Sequence, residues 1–313
     1  MGPAKIMLRI RNKSGFALTL AGALASLTAC GCSVANQPVS AGPVAAPSTA
    51  KIDPPAVYVN GVYRGFDRND YPGDATMQAL HGTFAFTGYW LTPPPGETAN
   101  SWLGKRFTLR QQGWGFLILA NGKFDKEILK AQKAGTSPAQ LGRQDAQAAV
   151  AAAKSEGFPP HAIIFLDQEE GGGLLDEQAE YLLGWTEAVA ASDYKPGVYA
   201  SGQPVPDGPG KTVDTIRHIR SLVKERHLHQ VAVFDYQDAC PPSPGCTLAP
   251  KPLSAAGEPE ITIWQYAQSP RRPEITAACK RTYDVDGNCY VPVFPSLDLD
   301  MDAAVTADPS NGR

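Results

Sequence analysis

The chain has 313 residues, 43% of them hydrophobic and 19% charged, with a formal net charge of -3 and a mean hydropathy of -0.23. Lys5, Arg9, Arg11 and Lys13 are the only charged residues among the first 29, so without that segment the net charge falls to -7. A chain of that sign is unsuited to a nucleic-acid backbone or an anionic membrane surface, and neither is expected as a partner.

The basic N-terminal stretch leads into an apolar run from Gly15 to Ser26. That run is too short to span a bilayer and has the length of a signal-peptide core. It ends in Leu27, Thr28, Ala29 and Cys30, which resembles the bacterial lipobox, whose cysteine takes a diacylglycerol and becomes the mature N-terminus. Residues 1–29 are therefore expected to be a lipoprotein signal peptide, Cys30 the lipidation site, and the location an exported, membrane-anchored lipoprotein of the bacterial cell envelope. Ordinary secretion with cleavage near Ala29 is the alternative. Residues 30–57 form a flexible linker, rich in Ala, Pro, Ser and Val and nearly uncharged. Its Ser33–Ala56 portion, fully extended at ~3.1 Å per residue, would reach ~70 Å.

From residue 58 to 306 strand-like and helix-like runs alternate, and 307–313 reads as a tail. The spacing predicts strands at Val62–Asp67, Thr83–Tyr89, Gly115–Ala120, Ala162–Asp167, Pro196–Ala200, Val231–Phe234, Ile261–Tyr266 and Leu297–Leu299. Helices are expected at Ala75–Leu80, Lys105–Gln112, Pro138–Glu156, Leu174–Ala191 and Thr212–Glu225. Eight strands with interleaved helices point to an α/β fold, a single parallel (β/α)8 TIM-type barrel, with a doubly wound sheet as the other candidate.

The stretch HAIIFLDQEEGGG, His161–Gly173, carries the sharpest chemical signal. Alternate residues of a strand share a face ~6 to 7 Å apart, so Asp167 and Glu169 would face one way and Glu170 the other. Two carboxylates so held suit glycosidic cleavage, one giving a proton to the leaving oxygen while the other stabilises or attacks the developing cation. The same acids would also suit the first turn of a helix. Other expected strand ends are polar too: Asp67 in GFDRNDYPG, Tyr199 in GVYASG, Gln265 in IWQYAQ, and Asp298 with Asp300 in SLDLDMD. Singly, each has a plain explanation as a turn, rim or capping residue. Together they mark the face on which such barrels build their sites.

GFD on the first strand, DxE ending the fourth, GVYAS on the fifth, IWQY on the seventh and a closing LDLD resemble the family 25 glycoside hydrolases, the lysozymes of bacterial wall glycan. They resemble more closely the related glycoside-hydrolase-like family catalogued as domain of unknown function 1906. The resemblance spans about Tyr58 to Ala304 and implies a (β/α)8 fold and a carbohydrate substrate, peptidoglycan or a related glycan. It implies a catalytic acid at Glu169, a carboxylate partner at Asp167, a first-strand aspartate at Asp67 and an eighth-strand aspartate at Asp298. The chain departs from the lysozymes at VAVFDYQDACPPSPGC, where they carry a Trp-rich sixth strand, and in a long inserted segment, Asn121–Arg143.

Two functions fit these residues. One is a cell-envelope glycoside hydrolase with Tyr199, Gln265, Trp264, Asp300 and Trp90 contacting substrate. The other is a catalytically silent glycan-binding barrel that uses Trp90, Trp102, Trp264 and nearby Tyr residues as stacking faces. No cofactor or metal is expected, and a monomer is. Ser201 lies in YASGQ rather than GxSxG, and GPGKT at 208–212 lacks the first glycine of a phosphate loop. Asp284, Asp286 and Asn288 in DVDGN have glycine in the wrong place for a helix-loop-helix calcium site, and His218, His227 and His229 lack carboxylates at ligand spacing. Of six cysteines, Cys240, Cys246, Cys279 and Cys289 remain for the exported domain once Cys30 and Cys32 are set aside. Local disulfides 240–246 and 279–289 are one of three possible pairings.

Overall fold

The computed structural model describes residues 57–237, 249–269, 290–291 and 294–313. The signal segment, most of the linker, Cys30 and the four cysteines expected to pair lie outside the described residues, as does the DVDGN loop.

The chain enters through a short strand β1 (Tyr58–Val59), which turns at Asn60 and Gly61 into β2 (Val62–Asp67). Both turn residues have positive φ, 53° and 82°, the conformation a two-residue hairpin of right-handed twist demands and Asn-Gly supplies most readily. Next come α1 (Asp74–Leu80), β3 (Phe86–Trp90), α2 (Arg106–Gln111), β4 (Gly115–Asn121), α3 (Asp125–Lys133), α4 (Pro138–Ser155) and β5 (Ile163–Asp167). Then follow α5 (Asp176–Ala190), β6 (Lys195–Ser201), the hairpin β7 (Val205–Pro206) and β8 (Thr212–Val213), α6 (Thr215–Glu225), β9 (Ala232–Tyr236) and β10 (Ile263–Ala267). The described chain ends with a second hairpin, β11 (Tyr290–Val291) and β12 (Phe294–Asp298), and with β13 (Asp300–Ala304).

Eight of these strands, β2, β3, β4, β5, β6, β9, β10 and β13, pair in a ring that closes through β2 and β3. This is a TIM-type barrel, and closure of the sheet excludes the doubly wound alternative. One expectation is corrected. The barrel is not wholly parallel: β13 runs antiparallel to both β10 and β2. It also lies later than expected, at 300–304, because Phe294–Asp298 forms the small hairpin instead. A reversed strand enters from the rim where its predecessor left, so no crossover helix is needed, and none stands between β10 and β13 among the described residues.

Glycines and large rings share the barrel interior. A Cβ on Gly65 would stand 2.1 Å from the Phe86 ring, and one on Gly197 2.5 Å from the Phe165 ring, so these positions stay bare for the rings to fill the narrow lumen. Outside, the expected helix Pro138–Glu156 is α4, with Ser137 accepting from the Gln140 amide and proline in the first turn. Its Gly142, Ala146, Ala149 and Ala153 make a smooth buried stripe against α5. The two helices approach so closely at Gly142 that a Cβ there would sit 2.1 Å from the Tyr181 carbonyl oxygen. Within the inserted segment lies α3, whose start is fixed by the Phe124 amide donating to Glu127.

The last residues, read as a tail, are sewn to the end of the barrel where β4 and β5 begin. Ser310 accepts at its hydroxyl from the Ile118 amide (2.8 Å) and at its carbonyl from Ile163 (2.8 Å). Asp308 accepts from the Phe116 amide, and Arg106 donates to the Gly312 carbonyl.

Candidate active site

The carboxyl ends of the parallel strands define one rim of the barrel, and Asp67, Asp167 and Tyr199 stand there on β2, β5 and β6. Reversal of β13 brings its amino end to the same rim, so that Asp300 is paired directly with Asp67. Asp302, which sequence reasoning passed over, lies one step deeper, level with Gly65 on one side and Gln265 on the other.

These residues form a hydrogen-bonded chain across the lumen. The Tyr199 hydroxyl donates to Gln265 Oε1 (2.9 Å), and Gln265 Nε2 donates to Asp67 Oδ2 (2.8 Å). Three strands, β6, β10 and β2, are thereby joined through side chains at the floor of the mouth, and beneath them Asp302 on β13 is buried with no hydrogen-bond partner at either carboxyl oxygen among the described residues.

Burial dominates the electrostatics. It pushes the Asp67 carboxyl up to about 7, against the hydrogen bond from Gln265 and with help from the charge of Glu169. Burial, and then the neighbouring Asp67, hold Asp300 well above the usual carboxylate range, opposed by the Ser269 amide that donates to its Oδ1 at 2.5 Å. Asp302 is fully buried and also held well above that range, by burial and then by Asp67 and Asp300. Burial and the mutual repulsion of these acids act in the same direction, both favouring the protonated form.

Asp167 ends β5 in the barrel, and Glu169 follows in the loop beyond it, half-buried and close enough for its charge to reach both Asp67 and Asp300. The pair shares a small cleft with Asn121, Gly122, Lys123 and Phe124, the start of the inserted segment. Gly122 is required there, because its amide donates to the Asp167 carbonyl and a Cβ would come within 2.2 Å of that oxygen.

The loop after Glu169 is braced from several sides. Glu170 turns away from the cleft, as the alternation predicts, but its carboxylate is not idle. Its Oε2 accepts from the Asp125 amide at the start of α3 (2.7 Å) and from Gln178 Nε2 on α5 (2.6 Å). Gly172 has a φ of 89°, its carbonyl accepts from the Thr215 hydroxyl, and the Leu174 amide donates to His218 Nδ1. His218 is thus an acceptor that anchors the loop. GPGKT lies at the tip of the β7–β8 hairpin.

The expected aromatic platforms are corrected. Trp90 is 3% exposed, Trp264 1% and Trp102 0%, and each indole N–H donates to a backbone carbonyl, of Arg68, Gln237 and Asn69 respectively. Their area is spent on the core, leaving no open ring face for a sugar. Asp298, expected on the closing strand, ends β12 just before it and adds its charge to the field at Asp300. Among the described residues no group of three or more His, Cys, Asp or Glu is arranged to hold a metal ion.

Residues 98–239, a stretch that includes Asp167 and Glu169, match the family model described as Rv2525c-like, glycoside hydrolase-like domain. Among solved structures, the chain is similar to a protein of B. stearothermophilus at 19% identity, with 77% of this chain and 95% of that one covered and a TM-score of 0.49. It is similar to the Tat-secreted protein Rv2525c of Mycobacterium tuberculosis, solved with HEPES, at 14% identity over 80% and 97% of the two chains with a TM-score of 0.46. For the catalytic domain of endolysin ply40 from bacteriophage P40 of Listeria monocytogenes the values are 14%, 80%, 96% and 0.38. No curated protein matches the chain.

Proposed function

We propose that this protein is a cell-envelope glycoside hydrolase that cuts peptidoglycan or a related glycan by carboxylate acid/base catalysis. The observation that carries the reading is the gathering of Asp67, Asp167, Glu169, Asp300, Tyr199 and Gln265 at one rim of the barrel, where burial raises the proton affinity of Asp67 and Asp300. In this reading Glu169 gives its proton to the glycosidic oxygen as the bond to the anomeric carbon breaks. Asp167 stabilises the positive charge that develops on the sugar, or orients a substrate N-acetyl group that attacks the anomeric carbon. Tyr199, whose hydroxyl donates to Gln265 at the same rim, is the residue assigned to hydrogen-bond that acetamide. Asp67 and Asp298 shape the field around the acid. Export and attachment through a lipid on Cys30, with the barrel acting as a monomer, complete the proposal.

The alternative of a silent glycan-binding barrel loses Trp90, Trp102 and Trp264 as stacking surfaces, since all three are buried. Digestion of purified peptidoglycan, with soluble fragments resolved by chromatography and binding measured in parallel, distinguishes the two. Glu169→Gln and Asp167→Asn are each expected to slow cleavage ~10²-fold or more while leaving binding. Binding without fragment release by the unmodified protein, or an undiminished Glu169→Gln, would reject the enzyme.

A further inference from the structure

We propose that Glu170 is a positioning residue of this site, a latch whose carboxylate ties the loop carrying Glu169 to the inserted segment and to α5, and so makes that segment a fixed wall of the cleft. Its effect on turnover rests on the glycoside hydrolase reading; the latch itself does not.

One oxygen, Glu170 Oε2, accepts two N–H donors from different elements, the Asp125 amide at 2.7 Å and Gln178 Nε2 at 2.6 Å. Asp125 opens α3, and the first amides of a helix have no partner within it and carry the positive end of its dipole. A carboxylate is the acceptor best suited to that position. The second donor has a fixed orientation. Gln178 is 5% exposed, and its Oε1 accepts from the Leu175 amide at 2.8 Å, which leaves Nε2 to meet Glu170.

The latch acts on a stretch that needs holding. Before it, the Gln168 amide donates to the Tyr199 carbonyl at 3.0 Å; beyond it, the Gly172 carbonyl accepts from the Thr215 hydroxyl at 2.9 Å. Glu169 and Glu170 stand between these two ties, and residues 171–173 are all glycine, the residue whose backbone is least restricted. On the facing wall, Asn121, Gly122, Lys123 and Phe124 line the cleft that holds Asp167 and Glu169, and they lead directly into Asp125. The bond from Glu170 to Asp125 thus joins the residue after the proposed acid to the residue after the wall, and it sets the spacing of the two.

The test uses the full chain. Glu170→Met keeps the length of the side chain and removes the acceptor. On peptidoglycan its kcat is expected to fall about 10- to 100-fold with KM changed by less than about 3-fold, because a general acid displaced by about 1 Å loses rate. Glu170→Gln, whose amide oxygen still accepts, should recover most of that loss. Gln178→Glu keeps the acceptor for Leu175 but sets a carboxylate against Glu170, and it should lower kcat as well. Adding Glu170→Gln to it exchanges donor and acceptor and should restore the rate. Hydrogen exchange of the Asp125 amide, followed by NMR, should quicken about 10-fold or more in Glu170→Met and stay near the parent in Glu170→Gln. A folded Glu170→Met with the parent's kcat overturns the proposal, as does a Glu170→Gln that loses as much, or an Asp125 amide whose exchange is unchanged in Glu170→Met. If Glu170→Met does not fold, Gln178→Glu decides, and failure of the added Glu170→Gln to restore its rate overturns the latch. If the unmodified protein cleaves no glycan, the enzyme reading fails and exchange at Asp125 still decides the latch.

Discussion

Asp235 offers a measurement of what burial does to an acid in this barrel, separate from the candidate site. It lies on β9 between Phe234 and Tyr236, has no solvent exposure, and accepts the Gly202 amide at 3.0 Å. Burial, then the charge of Glu258, push its carboxyl from 3.8 up to about 7; the Gly202 amide and Arg220 oppose the shift and Asp214 adds to it. Because the folded value is the higher, the native protein retains between about pH 4 and 7 a proton that the unfolded chain has released. The associated stability is complete below about 4 and is lost as pH rises through about 7. A gap of about three units at ~1.4 kcal/mol each amounts to ~4 kcal/mol. Asp235→Asn keeps the acceptor for Gly202 and removes the titration. Chemical denaturation of both proteins between about pH 4 and 8 should show the variant gaining ~4 kcal/mol on the wild type across that range, or ~8 to 16 °C in Tm for a domain of this size. Any fixed cost of the amide cancels in that change. A difference that stays within ~1 kcal/mol at every pH would refute the assignment of Asp235 as a burial-shifted acid.

Other outcomes follow from the contacts. Glu170→Ala removes the shared acceptor of Asp125 and Gln178 and is expected to cost ~2 to 4 kcal/mol, with the Asp125 amide exchanging faster by hydrogen-exchange mass spectrometry. Gly142→Ala forces α4 away from α5 and should destabilise by at least ~1 to 3 kcal/mol, read from the melting temperature. Ser310→Ala strands the buried Ile118 amide and should cost ~1 to 3 kcal/mol in denaturant.

The strands were legible because apolar runs ended in Gly, Pro or acidic residues, and seven of the eight expected barrel strands overlap those found. Direction was not legible for the eighth: alternation has period two whichever way a strand runs, so LDLDMD does not say whether its acids meet the mouth at its start or its end. That ambiguity left both Asp298 and Asp300 as expected site acids, the strand-end role going to Asp298, and hid Asp302 altogether. An alternating acid on a closing strand, DMD, is the signal that could have found it. The tryptophans misled for a different reason. Composition reports that a large ring is present, whereas its backbone-bonded N–H and buried faces depend on loops around 68, 69 and 237. Glu170 was placed on the correct side by alternation, but its partner Asp125 lies 45 residues earlier, beyond any local pattern.

The reversed closing strand also fixes where the polypeptide can be handled. β2 begins, and β13 ends, at the pole opposite the mouth, and residues 308–313 remain there against β4 and β5. A cable made fast at the C-terminal end therefore pulls on the base and leaves the opening unobstructed. Beads coupled through a C-terminal tag should retain the accessibility of the free protein, whereas a graft in the β7–β8 hairpin, beside the loop that carries Glu169, would crowd the approach.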